Sequence, residues 1–120
     1  MILSNCYWVK LMTAKQFDRV IEDQFRQCRQ LLCQKAGEYA RGDRLSNFKK
    51  AADLSDCTPV TALWGMAVKH IISIADYVTD YENGSTHTLP GWDEKIHDAI
   101  NYLLLLKAVL IDGGECEDLN

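Results

Sequence analysis

A chain of 120 residues, 48% apolar and 25% charged, is long enough to bury a core of its own and has the make-up of a single globular domain, residues 1–120. Its formal net charge of -4 disfavours general nucleic-acid binding, and five cysteines with no Cys-x-x-Cys pair argue against a disulfide framework or a zinc knuckle. No charged segment followed by an apolar core opens the chain, and Lys107 interrupts the apolar run Leu103–Leu106, so reduced thiols in a cytoplasmic protein with no membrane span are expected.

Residues 1–12 carry Cys6-Tyr7-Trp8-Val9, a short aromatic and β-branched run that reads either as an extended arm packed on the body or as a fraying terminus. From Thr13 the pattern turns helical. Thr13 and Gln16 form a capping-box pair, and Phe17, Val20, Ile21, Gln24, Cys28, Leu31 and Leu32 recur at steps of three and four, predicting a helix to about Tyr39. Gly37, near its end, either permits a close backbone approach or marks the fraying end. Arg41-Gly42-Asp43-Arg44 reads as a turn, and Ser46 is a candidate cap for a short helix, Asn47 to Leu54.

Thr58-Pro59 sets a hydroxyl at a cap and proline at the first helical position, predicting a third helix from Pro59 to about Tyr81. Its apolar stripe runs through Leu63, Met66, Ala67, His70, Ile71, Ile74, Tyr77, Val78 and Tyr81, with Lys69, Ser73, Asp76 and Asp80 beside it. Residues 82–91 read as a loop. A last helix is expected from Trp92 to Ile111, closing at Gly113-Gly114, before an acidic tail over residues 112–120. Three long helices, one short helix and almost no strand signal define an all-α helical bundle. Because Leu103–Leu106 sets apolar residues on every side of its helix, completion of the bundle by a second copy, as a homodimer or homotetramer, is expected.

Polar residues interrupt these apolar lines. Glu94, Asp98 and Asn101 stand at i, i+4, i+7 above the apolar stem of the last helix. They are either a solvated first turn that complements the helix dipole or part of a site. Glu38, Asp76, Asp80, Glu94 and Asp98 could converge at one end of the bundle, where carboxylates repel unless a hard cation binds them; Mg²⁺ takes one or two together with substrate phosphates. The segment from Lys35 to Lys50 holds Lys35, Arg41, Arg44, Lys49 and Lys50 against Glu38 and Asp43, a local positive patch suited to phosphate. The alternative is ordinary surface ion pairing. His70 reads as a core histidine, His97 has no partner at zinc-ligand spacing, and His87 carries no signal. Trp64, Trp92 and Tyr39 could stack on a base but equally fit the core.

Lys35-x-x-Glu38-Tyr39, Asp43-Arg44-x-x-Asn47-Phe48, Lys69-His70-Ile71 ahead of Asp76, and Asp93-Glu94-Lys95-Ile96-x-Asp98-x-x-Asn101-Tyr102 form a series within residues 30–110. The series resembles small phage and prophage proteins related to the MazG-type all-α NTP pyrophosphatases, nearest the nucleotide-modification-associated branch with its Lys-x-x-Asp-Tyr-Gly segment and closing Asp-x-x-Asn-Tyr helix. In such pyrophosphatases Mg²⁺ is held by Glu-Glu-x-x-Glu on one helix and Glu-x-x-Asp on a later one, and water attacks between the α- and β-phosphates. Asp98 matches the later Asp. Glu94 matches the acid before it, four residues back instead of three. On the first helix Glu38 alone answers to the acidic triplet, and Lys35 stands where a further acid is expected. A site short of ligands holds its metals more weakly, which bears on catalysis before it bears on nucleotide binding.

The resemblance implies a Mg²⁺-dependent hydrolase of nucleoside triphosphates in a bacterial host cell. Glu38, Glu94 and Asp98 would hold the metal, and Glu38, Asp76 and Asp98 would form the catalytic group. Lys35, Arg44, Lys69, Asn101 and Tyr102 would contact the nucleotide. Two other expectations stand beside it: a non-catalytic phage counter-defence protein that sequesters a nucleotide, and one that binds and inhibits a host defence protein, the polar line then being structural.

Overall fold

The structure, a computed structural model, describes residues 11–36 and 42–114, with Lys35 and Ala36 described by backbone alone. The arm over residues 1–10, residues 37–41 with Glu38, Tyr39 and Arg41, and residues 115–120 lie outside the described part. The fold is all-α: α1 (Ala14–Ala36), α2 (Ser46–Ser55), α3 (Pro59–Glu82) and α4 (Leu89–Asp112), three long helices and one short one, with no strand among the described residues.

Local chemistry sets the ends. Thr13 and Gln16 form the expected reciprocal cap: the Thr13 N–H donates to Gln16 Oε1 at 2.9 Å and the Gln16 N–H donates to Thr13 Oγ1 at 3.1 Å. Thr58 Oγ1 accepts from the Thr61 N–H at 3.2 Å at the head of α3. Two starts differ from expectation. Ser46 lies inside α2, whose cap residue Leu45 offers no side-chain acceptor; Asp43 ties the turn instead, its Oδ1 accepting from the Leu45 N–H at 2.9 Å. The last helix begins at Leu89, ahead of Trp92, because Thr88 caps it with Oγ1 accepting from the Gly91 N–H at 3.2 Å and Pro90 fits its first turn. At the far end Gly114 takes the left-handed conformation, φ +84°, one residue after the cap position.

α3 packs along α4, α2 lies against α3, and α1 meets α4. Leu45, Phe48, Leu63 and Val109 form the buried core, joined by Met66, Tyr102 and Leu105 among others. Leu63 is fully buried. Expectation and structure part on α1. Cys28 is buried and Leu31 and Leu32 are half-buried, but Phe17, Val20, Ile21 and Phe25 are exposed, because only the second half of this helix of about 35 Å has α4 beside it. On α3 and α4, Ile71, Ile72, Val78, Leu103 and Leu104 are likewise exposed. The radius of gyration, 18.3 Å, exceeds the roughly 14 Å of a compact chain of this length.

Candidate functional site

The C-terminal half of α1, the turn before α2, α2 itself, α3 and α4 enclose a cavity of about 200 Å³, open on one side. Leu31 and Leu32 from α1, Phe48 from α2, Met66 from α3 and Leu105 from α4 make its apolar walls. Arg44, Asn47, Asp98, Asn101 and Tyr102 supply its polar groups. Four of the lining residues, Asp98, Asn101, Tyr102 and Leu105, stand at i, i+3, i+4, i+7 on α4, the spacing that puts side chains on one helical face. Arg44 is positioned by its neighbours: Leu45 is buried in the core on one side, and Asp43 on the other forms an ion pair with Lys49 of α2. Lys49 also pairs with Asp112 at 3.0 Å, fastening the turn to the end of α4. The hydrogen bond from Lys49, then that from the Leu45 N–H, holds the Asp43 carboxyl below its ordinary range; the bonds to Asp43 and then Asp112 push the Lys49 ammonium up.

Two imidazoles flank Asp98. His70 Nδ1 of α3 lies 3.7 Å from one carboxylate oxygen and His97 Nε2 lies 3.8 Å from the other, too long for hydrogen bonds but in close contact. His70 also stacks on Tyr102, with ring centroids 4.6 Å apart and planes at 26°, so one face of the Tyr102 ring is covered. The α4 backbone here is tied to α1 by the buried Cys28 thiol, 4.0 Å from the His97 carbonyl oxygen. Asn101 is the buried polar residue of the core, 5% exposed, and its Oδ1 accepts no hydrogen bond among the described residues. Most buried polar groups are paired with protein or ordered water, so an unpaired acceptor in a cavity wall is a place for a water or a ligand donor.

Of the residues singled out in the sequence, Arg44, Asp98, Asn101 and Tyr102 are brought together here. Lys69, Asp76 and Glu94 are exposed and do not line the cavity. The Lys35 side chain and Glu38 lie outside the described part. Asp80 points elsewhere: its Oδ2 is 2.8 Å from His87 Nε2, and His87 stacks on Tyr77 at 3.7 Å, closing the α3–α4 connection. Trp92 meets Tyr77 edge-on in the same cluster and Trp64 is exposed, so neither forms a platform in the cavity. Among the described residues no group of three or more His, Cys, Asp or Glu side chains is arranged to hold a metal ion. No described helix is long and apolar enough to cross a membrane. No family model, curated protein or solved structure matches the chain. Sequence reasoning missed Asn47 as a lining group and the two histidines as neighbours of Asp98. Asn47 had a signal, three residues after Arg44 in the basic segment, and His97 stands next to Asp98 in the sequence; His70 had none, since it reaches Asp98 only through the packing of α3 on α4.

Proposed function

We propose that the chain binds a nucleotide in the cavity between α1, α2 and α4. The observation that carries this reading is the convergence of Arg44 and Asn47 with Asp98, Asn101 and Tyr102 on one apolar-walled cavity. Arg44 supplies the planar, permanently charged group that phosphate oxygens favour. Asp98 supplies a hard oxygen donor at the same wall. Mg²⁺ asks for one or two carboxylates and takes its other ligands from phosphate and water. Asp98 would hold it, with Glu94 one turn before and Glu38 as further donors, and the ion would neutralise phosphate charge. His70 and His97 lie against Asp98 without hydrogen-bonding to it.

Hydrolysis between the α- and β-phosphates, as in the MazG-type pyrophosphatases that the motif series resembles, is the reaction proposed for this site. Capture of the nucleotide without cleavage is the second reading. It is favoured by one fact: Asp98 is the sole carboxylate among the described lining residues. The apolar residues left exposed on α1, α3 and α4 support a homo-oligomer. On α1 they span a face too wide for a two-helix seam, and over its uncovered first half, residues 15–26, Lys15, Arg19 and Arg26 are balanced by Asp18, Glu22 and Asp23, so a second copy meets no excess of like charge on that half.

The test is to incubate the purified chain with a broad nucleotide mixture and Mg²⁺ and to chromatograph the free pool before and after heat release. New monophosphate and pyrophosphate establish hydrolysis; a nucleotide lost from the pool and recovered intact on heating establishes capture; an unchanged pool refutes both. Asp98→Asn is expected to lower turnover at least 100-fold with the fold unaltered in circular dichroism. Retained turnover removes Asp98 from the chemistry.

A further inference from the structure

We propose that the base of the nucleotide, and not its phosphates, occupies the cavity, and that Asn101 reads it by accepting a hydrogen bond from a ring or exocyclic N–H. This rests on the nucleotide-site reading above and names the part of the ligand that the site selects.

Volume is the first ground. Pockets that enclose a whole small ligand run to roughly 300–1,000 Å³, whereas an apolar cavity of about 150 Å³ takes a single benzene ring. At about 200 Å³ the space holds one planar ring system, and its open side leaves sugar and phosphates outside. Wall chemistry is the second. Leu31, Leu32, Phe48, Met66 and Leu105 suit the faces of a ring and offer nothing to phosphate oxygens. The third ground is Asn101. Its side chain is about nineteen-twentieths buried, it lines the cavity, and Oδ1 has no donor among the described residues. A buried acceptor left unpaired is costly, and a ligand N–H that reaches it recovers that cost only when bound. Because His70 covers one face of the Tyr102 ring, recognition by the edge of the base is better provided for than a sandwich of aromatic rings. Arg44 and Asp98 are the charged lining groups, with Asp98 one turn before Asn101 on α4, and they are left to the phosphates and their escorting cation.

The chemistry predicts discrimination against bases that carry no N–H. The full-length chain is titrated calorimetrically with adenosine, guanosine, cytidine and uridine triphosphates and with two donor-free counterparts that add no bulk, purine riboside and pyrimidin-2-one riboside triphosphates. Wild type is expected to bind the donor-free counterpart of its preferred base about 10- to 100-fold more weakly. In Asn101→Leu that ratio is expected to fall to within about threefold, whereas a purely structural role for Asn101 would weaken both ligands equally and leave the ratio intact. A wild-type ratio near one overturns base reading by Asn101 while nucleotide binding stands. Failure of every nucleotide to bind, with and without Mg²⁺, overturns the nucleotide site itself and this inference with it.

Discussion

Asn101→Leu is expected to stabilise the free protein, the opposite of what a substitution in a packed interior usually does. Asn101 is 5% exposed and its Oδ1 is unpaired among the described residues, so the folded state carries a desolvated acceptor that water satisfies in the unfolded chain. Such a group costs about 1–3 kcal/mol. Leucine removes that cost, is a better helix former in α4 by a few tenths of a kcal/mol, and has the same number of side-chain heavy atoms with the same branching, so it fits the space that the amide fills. The net gain of about 1–3 kcal/mol corresponds to a rise in Tm of about 4–12 °C for a domain of this size. Calorimetry of the ligand-free chain, supported by urea denaturation with an unchanged m-value, measures it. A Tm at or below that of wild type refutes the reasoning, because it means that the amide makes hydrogen bonds in solution that offset its burial. A stabilising loss of a polar side chain is also what a binding residue produces, since sites are built at the expense of stability.

The Asp43–Lys49–Asp112 cluster works over a defined pH range: the Asp43 pKa is lowered from 3.8, so its contribution is present above that value and lost as pH falls through the lower folded value, while the Lys49 pKa is raised above 10.5, so its contribution is present below 10.5 and lost as pH rises through the higher folded value. The stability difference between wild type and Lys49→Met, from denaturation midpoints, is therefore expected to be level at intermediate pH and to shrink at both extremes; no difference near pH 7 would show that the cluster contributes nothing. Phe25, 58% exposed on the uncovered half of α1, is expected to lie in the contact between copies, so Phe25→Glu removes about 1.5–3 kcal/mol of burial from each copy of a two-fold pair and weakens association by roughly 100- to 10,000-fold. Light scattering on the eluting peak should then give the monomer mass, and an unchanged oligomer would exclude this face from the contact.

Local sequence alone determined the helices and most of their ends. The Thr13–Gln16 cap, the Thr58–Pro59 start and the Gly113–Gly114 stop each depend on residues within four positions of one another, where backbone geometry leaves few alternatives. The start at Thr88 was obscured because Pro90-Gly91 resembles a turn as much as a first helical turn. The face of α4 bearing Asp98, Asn101 and Tyr102 was also legible, as a repeat of three and four. Tertiary structure decided which members of the polar lines became a site. Glu94 and Asp98 share a line on α4, yet Glu94 is exposed and Asp98 lines the cavity, because the second half of α1, anchored by Cys28 at His97, covers α4 from His97 onward and leaves the turn before it open. Asn101 and Arg44, 57 residues apart, line one cavity because Leu45 and Phe48 are drawn into the same core as Leu63 and Val109. Helical periodicity fixes which side chains share a face; what that face meets is fixed by how helices far apart in the chain pack, and that depends on the summed burial of residues no local pattern connects.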